Sequence, residues 1–207
     1  MKSEMNELVE FLKRISVLKT PALIDAFLIN DRENYVPGNY QNEAYQNKPL
    51  PLASGQSISQ PSTVSFMMEL LQPELGDEVL DVGFGSGWTT GILAKSIGED
   101  GSVLAVEIVP EVFKFGKENL EKQNYRNIEY YQGSWSDLPA RKFDCILVSA
   151  AAPPTVPQKL ASKLKVGGRM VIPVRHSNDQ SILFILKKNE DELVEKDYPG
   201  YVFVPLV

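Results

Sequence analysis

The segment spanning residues 79–88 constrains the fold more than any other part of this 207-residue sequence. An apolar strand reaches Asp81, and three alternating glycines, Gly83, Gly85 and Gly87, then precede a predicted helix. Glycines at such a turn let the backbone pass close to a ligand, and the helix N-terminus offers unpaired N–H groups. This order of elements is typical of nucleotide-binding α/β folds.

The pattern along the chain predicts a doubly wound α/β fold of the Rossmann-like type, with a mostly parallel sheet. From residue 77 onwards strand and helix patterns alternate, which indicates a parallel sheet covered on both faces. Apolar residues at helical spacing predict helices in an N-terminal extension. The pattern of the C-terminal tail predicts antiparallel strands at one edge of the sheet. The predicted helices are 4–18, 22–28, 61–71, 89–97, 110–123 and 156–164, and the predicted strands are 78–82, 102–107, 128–132, 143–148, 169–174, 181–187, 193–196 and 201–206.

The length fits a single domain, 1–207, in which we distinguish three parts. Residues 1–76 hold the N-terminal helices and a substrate-side loop, 77–174 the cofactor-binding core, and 175–207 the C-terminal strands. The irregular stretch 30–57 is long for a loop inside a compact domain, and such loops are usually functional.

Composition narrows the class of protein. The net charge of −6 argues against a nucleic-acid partner, and the sequence has neither a long apolar run nor the layout of a signal peptide, so we expect no membrane partner. The single cysteine, Cys145, lies in an apolar run and predicts a buried thiol in a cytoplasmic protein. We expect the single histidine, His176, to lie in a surface loop. The sequence has no cysteine pair and no histidine–carboxylate spacing that suits a metal ion.

Two acids indicate which nucleotide-like ligand binds. Asp81 stands where a carboxylate repels phosphate and attracts a cation, which favours S-adenosylmethionine over a dinucleotide. Glu107 ends the next strand, 20 residues after Gly87, where an acid accepts from ribose hydroxyls. Ser134 and Trp135 follow the third strand; Trp135 either flanks the adenine or is an ordinary half-buried aromatic residue.

The methyl acceptor is narrowed by what the segment 149–153 lacks. It has no Asn/Asp-Pro-Pro-aromatic run, which amino-directed nucleic-acid methyltransferases carry, and no acid of the metal-assisted catechol type. A site without an evident base favours a carboxylate acceptor, which is already ionised at neutral pH. Hydroxyls and N–H groups in 54–62 either bind such an anion or simply cap the following helix.

Motifs across most of the chain, from about Tyr35 to Leu206, resemble the protein-L-isoaspartate (D-aspartate) O-methyltransferase family. Gly-Gln-Ser-Ile-Ser-Gln-Pro at 55–61 is similar to the family's Gly-Gln-Thr-Ile-Ser signature, with Ser57 in place of threonine. The other resembling segments, in family order, are 34–37, 44–45, 49–52, 80–87, 107–110, 150–153, 167–169 and 202–206.

The resemblance implies methyl transfer from S-adenosyl-L-methionine to the free α-carboxylate of L-isoaspartyl residues in damaged proteins or peptides. The products are S-adenosyl-L-homocysteine and an ester that closes to a succinimide, which initiates repair. By resemblance Ser59 is the catalytic hydroxyl, and we expect a monomer. The implied cofactor-binding residues are Asp81, Gly83, Phe84, Gly85, Ser86, Gly87, Glu107, Ile108, Ser134 and Trp135, and the implied substrate-binding residues are Ser57, Ile58, Gln60, Val204, Pro205 and Leu206.

Three departures from the family pattern leave alternatives open. Ser62 stands where histidine is frequent, Ser134-Trp135 replaces the usual Asp-Gly, and Phe84 takes a turn position that is usually small or polar. One alternative is a related carboxyl methyltransferase with a dedicated peptide or small-acid acceptor. The other is a homologue that binds the cofactor without catalysis.

Overall fold

A seven-stranded sheet forms the centre of the protein, in a computed structural model that describes residues 3–177 and 179–206. The elements of the chain, in order, are α1 Glu4–Arg14, α2 Pro21–Ile29, β1 Leu50–Pro51, β2 Ser57–Ile58, α3 Pro61–Leu71, β3 Glu78–Val82, α4 Trp88–Ile97, β4 Ser102–Glu107, α5 Pro110–Lys122, β5 Ile128–Gln132, β6 Phe143–Val148, α6 Val156–Ala161, β7 Leu164–Arg175, β8 Gln180–Lys187 and β9 Leu193–Pro199.

The strand order of the large sheet is β5-β4-β3-β6-β7-β8-β9. The first five strands of that order are parallel, and β8 and β9 are antiparallel at one edge. The chain moves outward from β3 through β4 to β5 and then returns to the other side of β3 with β6. Ligands of such sheets bind at this reversal, beyond the carboxyl ends of the strands. The predicted doubly wound, mostly parallel fold is confirmed.

Alternate residues of the buried strands face the two sides of the sheet, as the pleat requires. Val79 and Cys145 pack into a cluster with α1 to α4, whereas Leu80 and Ile146 pack into a second cluster with α6. Both strands are apolar almost throughout, which is the pattern of a parallel sheet covered on both faces. The predicted burial of Cys145 is confirmed.

Most predicted elements are confirmed to within three residues. The helix predicted over 4–18 ends at Arg14, the strand predicted over 169–174 begins five residues earlier at Leu164, and two further predictions are wrong. The helix predicted over 156–164 ends at Ala161, because Leu164 already begins β7 and pairs with Phe143. The edge strand predicted over 201–206 does not form; it is replaced by one parallel bridge between Pro205 and Ala151. The backbone N–H and C=O of Phe203 bond instead to the side-chain amide of Gln180, so no partner strand is needed.

The N-terminal extension is helical up to Ile29, and the stretch 30–57 holds short 3₁₀ turns and the small β1–β2 hairpin. Among residues 3–177 and 179–206, no helix is long and apolar enough to cross a lipid bilayer. The predicted surface position of His176 is confirmed, since its loop is exposed and its imidazole Nε2 lies 2.9 Å from Ser181 Oγ.

Candidate active site

A pocket of about 750 Å³ lies at the carboxyl ends of β3, β4, β5 and β6 and is closed on one side by the β1–β2 hairpin. Its size is that of a site for a nucleoside-sized ligand. Glu107 is the one charged residue among its described lining residues. These are Gln56, Ser57, Ile58, Ser59, Val64, Val82, Gly83, Phe84, Gly85, Ser86, Trp88, Thr89, Val106, Glu107, Ile108, Val109, Gly133, Ser134, Trp135, Ser149, Ala150, Val204, Pro205 and Leu206.

The glycine turn after β3 forms one wall of the pocket and leads into α4. Its three glycines all have positive φ, between 57° and 88°, which side chains with a Cβ rarely adopt. A Cβ at Gly87 would lie 2.8 Å from Leu120 Cγ, so the turn also needs glycine there for close packing against α5.

The unusual Phe84 of the turn is explained by Gly116 on α5. The Phe84 ring is 2% exposed and packs edge-to-face on Phe113. A Cβ at Gly116 would lie 2.6 Å from that ring and would overlap the Gly85 carbonyl. The aromatic side chain therefore anchors the turn from behind, and the turn backbone remains free to contact a ligand.

Asp81 lies behind the pocket wall and is fully buried. Its Oδ2 accepts hydrogen bonds from the hydroxyls of Thr90 (2.7 Å) and Thr89 (3.3 Å), and Thr89 lines the pocket. Its Oδ1 has no hydrogen-bond partner within the described residues. Burial raises the pKa of Asp81 to about 7, against the lowering effect of the two hydroxyls. A buried acceptor without a partner is costly, and a ligand that carries positive charge would stabilise it.

Glu107 ends β4 with its carboxylate at the pocket, and only 6% of the residue is exposed. Its Oε2 accepts from the N–H of Gly85 at 3.2 Å, and its Oε1 accepts from the N–H of Val109 at 3.0 Å. These two bonds fix the carboxylate between the glycine turn and the start of α5. Each oxygen keeps a lone pair, which suits a pair of ribose hydroxyls.

Ser134 and Trp135 both line the pocket beyond β5. The Ser134 hydroxyl lies 2.8 Å from Ser136 Oγ and accepts from the Ser136 N–H at 3.3 Å. Ser136 Oγ in turn donates to Asp137 Oδ1 at 3.2 Å. The position that is usually an acid in the family thus holds a hydroxyl that is connected to a carboxylate three residues further on.

Ser59 follows β2 directly and lines the pocket together with Ser57 and Ile58. Within the part of the chain that is described, the Ser59 hydroxyl makes no hydrogen bond. The alternative role for these serines was to cap the helix that follows. Asn47 caps it instead, since its Oδ1 accepts from the N–H of Ser62 at 2.9 Å. The Ser59 hydroxyl is therefore free to bind a ligand.

Val204, Pro205 and Leu206 also line the pocket. Ala151, which follows β6, donates its N–H to Val204 O at 2.7 Å and accepts from the N–H of Leu206 at 2.9 Å. These bonds hold residues 204–206 against the end of the sheet, next to Ser149 and Ala150 of the pocket wall.

The structure gathers most of the predicted site residues around one pocket. Three of them, Asp81, Gly87 and Gln60, are not among its lining residues, and Gln60 donates from Nε2 to Ser62 Oγ instead. Sequence reasoning missed Trp88 and Thr89, which also line the pocket. The only signal for them was their place directly after the last glycine, at the helix start.

The charges of the pocket select its ligand class. Glu107 in the wall and Asp81 behind it are both acidic, and the lining holds no Lys, Arg or His among residues 3–177 and 179–206. The carboxylates would repel a phosphate-bearing dinucleotide, whereas a nucleoside with a sulfonium and an ammonium group is complementary to them. The residues present therefore fit S-adenosylmethionine.

Comparison with known proteins agrees with this geometry. The model of the family described as Protein-L-isoaspartate(D-aspartate) O-methyltransferase (PCMT) matches residues 3–207. A protein-L-isoaspartate O-methyltransferase of Methanopyrus kandleri is 38% identical over 203 residues, covering 97% of this chain and 89% of that protein. The protein-L-isoaspartate O-methyltransferase of Ignicoccus hospitalis is 36% identical over 209 residues, covering 100% of this chain and 99% of that protein.

Solved structures show the same fold. A protein described as a protein-L-isoaspartate O-methyltransferase of Plasmodium falciparum, in complex with S-adenosyl-L-homocysteine, superposes with a TM-score of 0.88 at 23% identity and covers 100% of this chain and 99% of its own. Another protein-L-isoaspartate O-methyltransferase superposes with a TM-score of 0.87 at 25% identity, covering 98% of this chain and 66% of its own.

The sheet order, the glycine turn and the acidic nucleoside pocket define a Rossmann-like methyltransferase that uses S-adenosylmethionine. The family match extends over nearly the whole chain, and several relatives exceed 35% identity. The chain belongs to the protein-L-isoaspartate (D-aspartate) O-methyltransferase family.

Proposed function

We propose that this enzyme transfers a methyl group to the α-carboxylate of L-isoaspartyl residues in damaged proteins or peptides, with Ser59 as the hydroxyl that orients the carboxylate. The observation that carries this assignment is that Ser59 lines the same pocket as Glu107 and that its hydroxyl makes no hydrogen bond within the described residues. A carboxylate acceptor needs alignment and exclusion of water rather than a base, and no histidine or lysine lines the described pocket.

The bound S-adenosylmethionine supplies an electrophilic methyl group. Glu107 and the glycine turn hold the nucleoside, Ser134 and Trp135 border the base, and Asp81 with Thr89 favours the cationic end. Ser57, Ile58 and the segment 204–206 border the acceptor, which is consistent with an extended substrate main chain. The Ser59 hydroxyl donates a hydrogen bond to one carboxylate oxygen and leaves the other oxygen, still anionic, free to attack the methyl group.

We also propose that residues 1–207 form one domain that acts as a monomer in the cytoplasm, with neither nucleic acid nor membrane as a partner. The large cluster of buried residues supports the single domain, since it combines side chains of the N-terminal helices with those of β3 and β6. The net charge of −6 supports the absence of a nucleic-acid partner.

A methylation assay with two peptides that differ only in an isoaspartyl or an aspartyl residue tests the acceptor. We expect methylation of the isoaspartyl peptide alone. Equal rates would overturn the acceptor assignment. Turnover of neither peptide would favour a dedicated acceptor if another peptide or small acid is methylated, and a non-catalytic homologue if the protein binds the cofactor but methylates no acceptor.

The Ser59→Ala variant tests the role of the hydroxyl. We expect kcat for the isoaspartyl peptide to fall about 10-fold or more while the cofactor Kd stays unchanged, because the hydroxyl touches only the acceptor. Ser62→Ala is the matched control, since the same group is removed three residues away outside the pocket wall. A parallel loss of turnover and cofactor affinity in Ser59→Ala would make Ser59 a structural residue.

A further inference from the structure

Arg32 is a fully buried arginine in the N-terminal extension, at the start of the 3₁₀ turn Arg32–Tyr35. No ion pair of its guanidinium is found in the ranges 3–177 and 179–206, and burial alone lowers its pKa to about 10. The group is therefore still charged at neutral pH. A buried charge without a counter-ion is costly, so its retention calls for a role.

All hydrogen-bond partners of the guanidinium are backbone carbonyls. Nη1 donates to Ala44 O at 2.6 Å and to Gln46 O at 3.4 Å. Nη2 donates to Lys48 O and to Ser59 O, both at 3.1 Å. The planar fork thus joins the irregular segment 44–48 to the backbone of the proposed acceptor-binding serine.

The guanidinium also lies against the cofactor side of the pocket. Its Cζ is 5.2 Å from the ring centre of Trp88, and Trp88 lines the pocket at the start of α4. The Trp88 indole is itself fixed, because Nε1 donates to Asn30 O at 2.9 Å. Arg32 therefore contacts both the Ser59 backbone and the first residue after the glycine turn.

The charge of Arg32 complements the acceptor. An isoaspartyl α-carboxylate is an anion, yet the only charged side chain among the described lining residues is the acid Glu107. The Arg32 cation stands directly behind Ser59, in a dry interior where charges act strongly. The charge of Arg32 offsets the repulsion that Glu107 and Asp81 would exert on an incoming carboxylate.

We propose that Arg32 is a positioning residue for methyl transfer: it fixes the Ser59 backbone and supplies the positive charge behind the acceptor carboxylate. This inference rests on the proposed role of Ser59 and adds a residue that is not itself among the described lining residues of the pocket. It predicts that changes at Arg32 affect the acceptor and spare the cofactor.

Two substitutions distinguish the effect of the planar guanidinium of Arg32 from the effect of its positive charge. Arg32→Lys keeps the charge and loses the planar fork, and Arg32→Met loses both. We expect kcat/KM for the isoaspartyl peptide to fall about 10- to 100-fold in both, because small displacements of an aligning group have effects of this size. The peptide KM should rise further in Arg32→Met than in Arg32→Lys, and the cofactor Kd should stay within about twofold of the unmodified enzyme.

Tyr45→Phe is the matched control. It loosens the same segment, because the Tyr45 hydroxyl donates to Asp31 Oδ1 at 2.8 Å, but it breaks no bond to Ser59. We expect Tyr45→Phe to retain kcat/KM within about twofold. Rates are expressed per cofactor-binding site, determined by calorimetric titration, so that a loss of folded protein is not read as a loss of catalysis.

The inference is overturned if kcat/KM per cofactor-binding site in Arg32→Lys equals that of the unmodified enzyme, or if cofactor affinity falls in parallel with it. Arg32→Lys alone decides if Arg32→Met does not fold. The unmodified enzyme is assayed beside the variants: if it does not methylate the isoaspartyl peptide, the proposed function fails, whereas full activity with unaffected Arg32 variants refutes only the role of Arg32.

Discussion

The buried carboxyl of Asp81 predicts a conflict between fold stability and cofactor binding. Burial raises its pKa from 3.8 to about 7. A folded-state pKa above the unfolded value means that the folded protein holds the proton more tightly. The contribution to stability is therefore complete below pH 4 and is lost as the pH rises towards 7.

The magnitude follows from the size of this shift. A shift of about three units corresponds to ~4 kcal/mol at pH 7 and above, at about 1.36 kcal/mol per unit. Between pH 5 and pH 8 the free energy of unfolding of the unmodified protein should fall by about 2.7 kcal/mol from this group, because only the two units between pH 5 and pH 7 contribute within that range. Asp81→Asn has a similar shape and no such titration, so its stability should lack this fall.

The assay is urea unfolding of both proteins at pH 5 and pH 8, without cofactor. Asp81→Asn should be the more stable protein at pH 8, and the difference should shrink at pH 5. Thr90 and Thr89 can reorient their hydroxyls towards an amide, so the packing is retained. A variant that is less stable than the unmodified protein at pH 8 refutes the reasoning.

Cofactor binding should change in the opposite direction. At pH 8 the Kd of S-adenosylmethionine should rise about 10-fold or more in Asp81→Asn, as expected for loss of a charged partner. Affinity of the unmodified protein should fall as the pH drops below 7, because the cation must displace a proton from Asp81. Titration of the ligand's own amino group is common to both proteins and cancels in their comparison. Equal pH dependence in the two would contradict the role of Asp81.

Two further predictions concern the glycine turn. Glu107→Gln should weaken cofactor binding about 10-fold, because the ionised acceptor for the ribose hydroxyls and for the Gly85 N–H is lost; calorimetry measures this, and an unchanged Kd would contradict it. Gly116→Ala should destabilise the fold by about 1–3 kcal/mol in urea unfolding and weaken cofactor binding as well, because its Cβ meets the Phe84 ring. Loss of stability with unchanged affinity would show that the turn does not depend on this packing.

The parallel strands were predictable because their signal is local. Buried apolar runs such as Phe143–Val148 mark the strands, and Glu107, the last residue of β4, marks the edge of the sheet at which the site lies. The segment 201–206 has the same apolar character, but whether it forms a strand depends on a distant residue: the side-chain amide of Gln180 takes the place of a neighbouring strand. No local pattern records such a contact.

Arg32 was beyond sequence reasoning for a related reason. The hydrogen-bond partners of Arg32 are backbone carbonyls, which every residue has. Neither the spacing nor the residue types of 44–48 therefore predict these bonds. A charged residue in a polar, irregular stretch is normally exposed. Thr89 and Trp88 were partly predictable. The sequence shows that they follow the glycine turn, but it does not show in which direction their side chains point.

A buried polar network explains how the acceptor side is held in register with the cofactor side. Asn30 Oδ1 accepts from the hydroxyls of Tyr35 at 2.6 Å and Tyr125 at 3.0 Å, next to Gly91 of α4. A Cβ at Gly91 would overlap that oxygen and lie 2.6 Å from the Tyr35 hydroxyl. Glycine inside a helix costs about 1 kcal/mol relative to alanine, and here it admits the N-terminal extension to direct contact with α4. Because α4 begins at the glycine turn, the part of the chain that positions Ser59 is fixed against the part that positions the methyl donor, as in-line transfer requires.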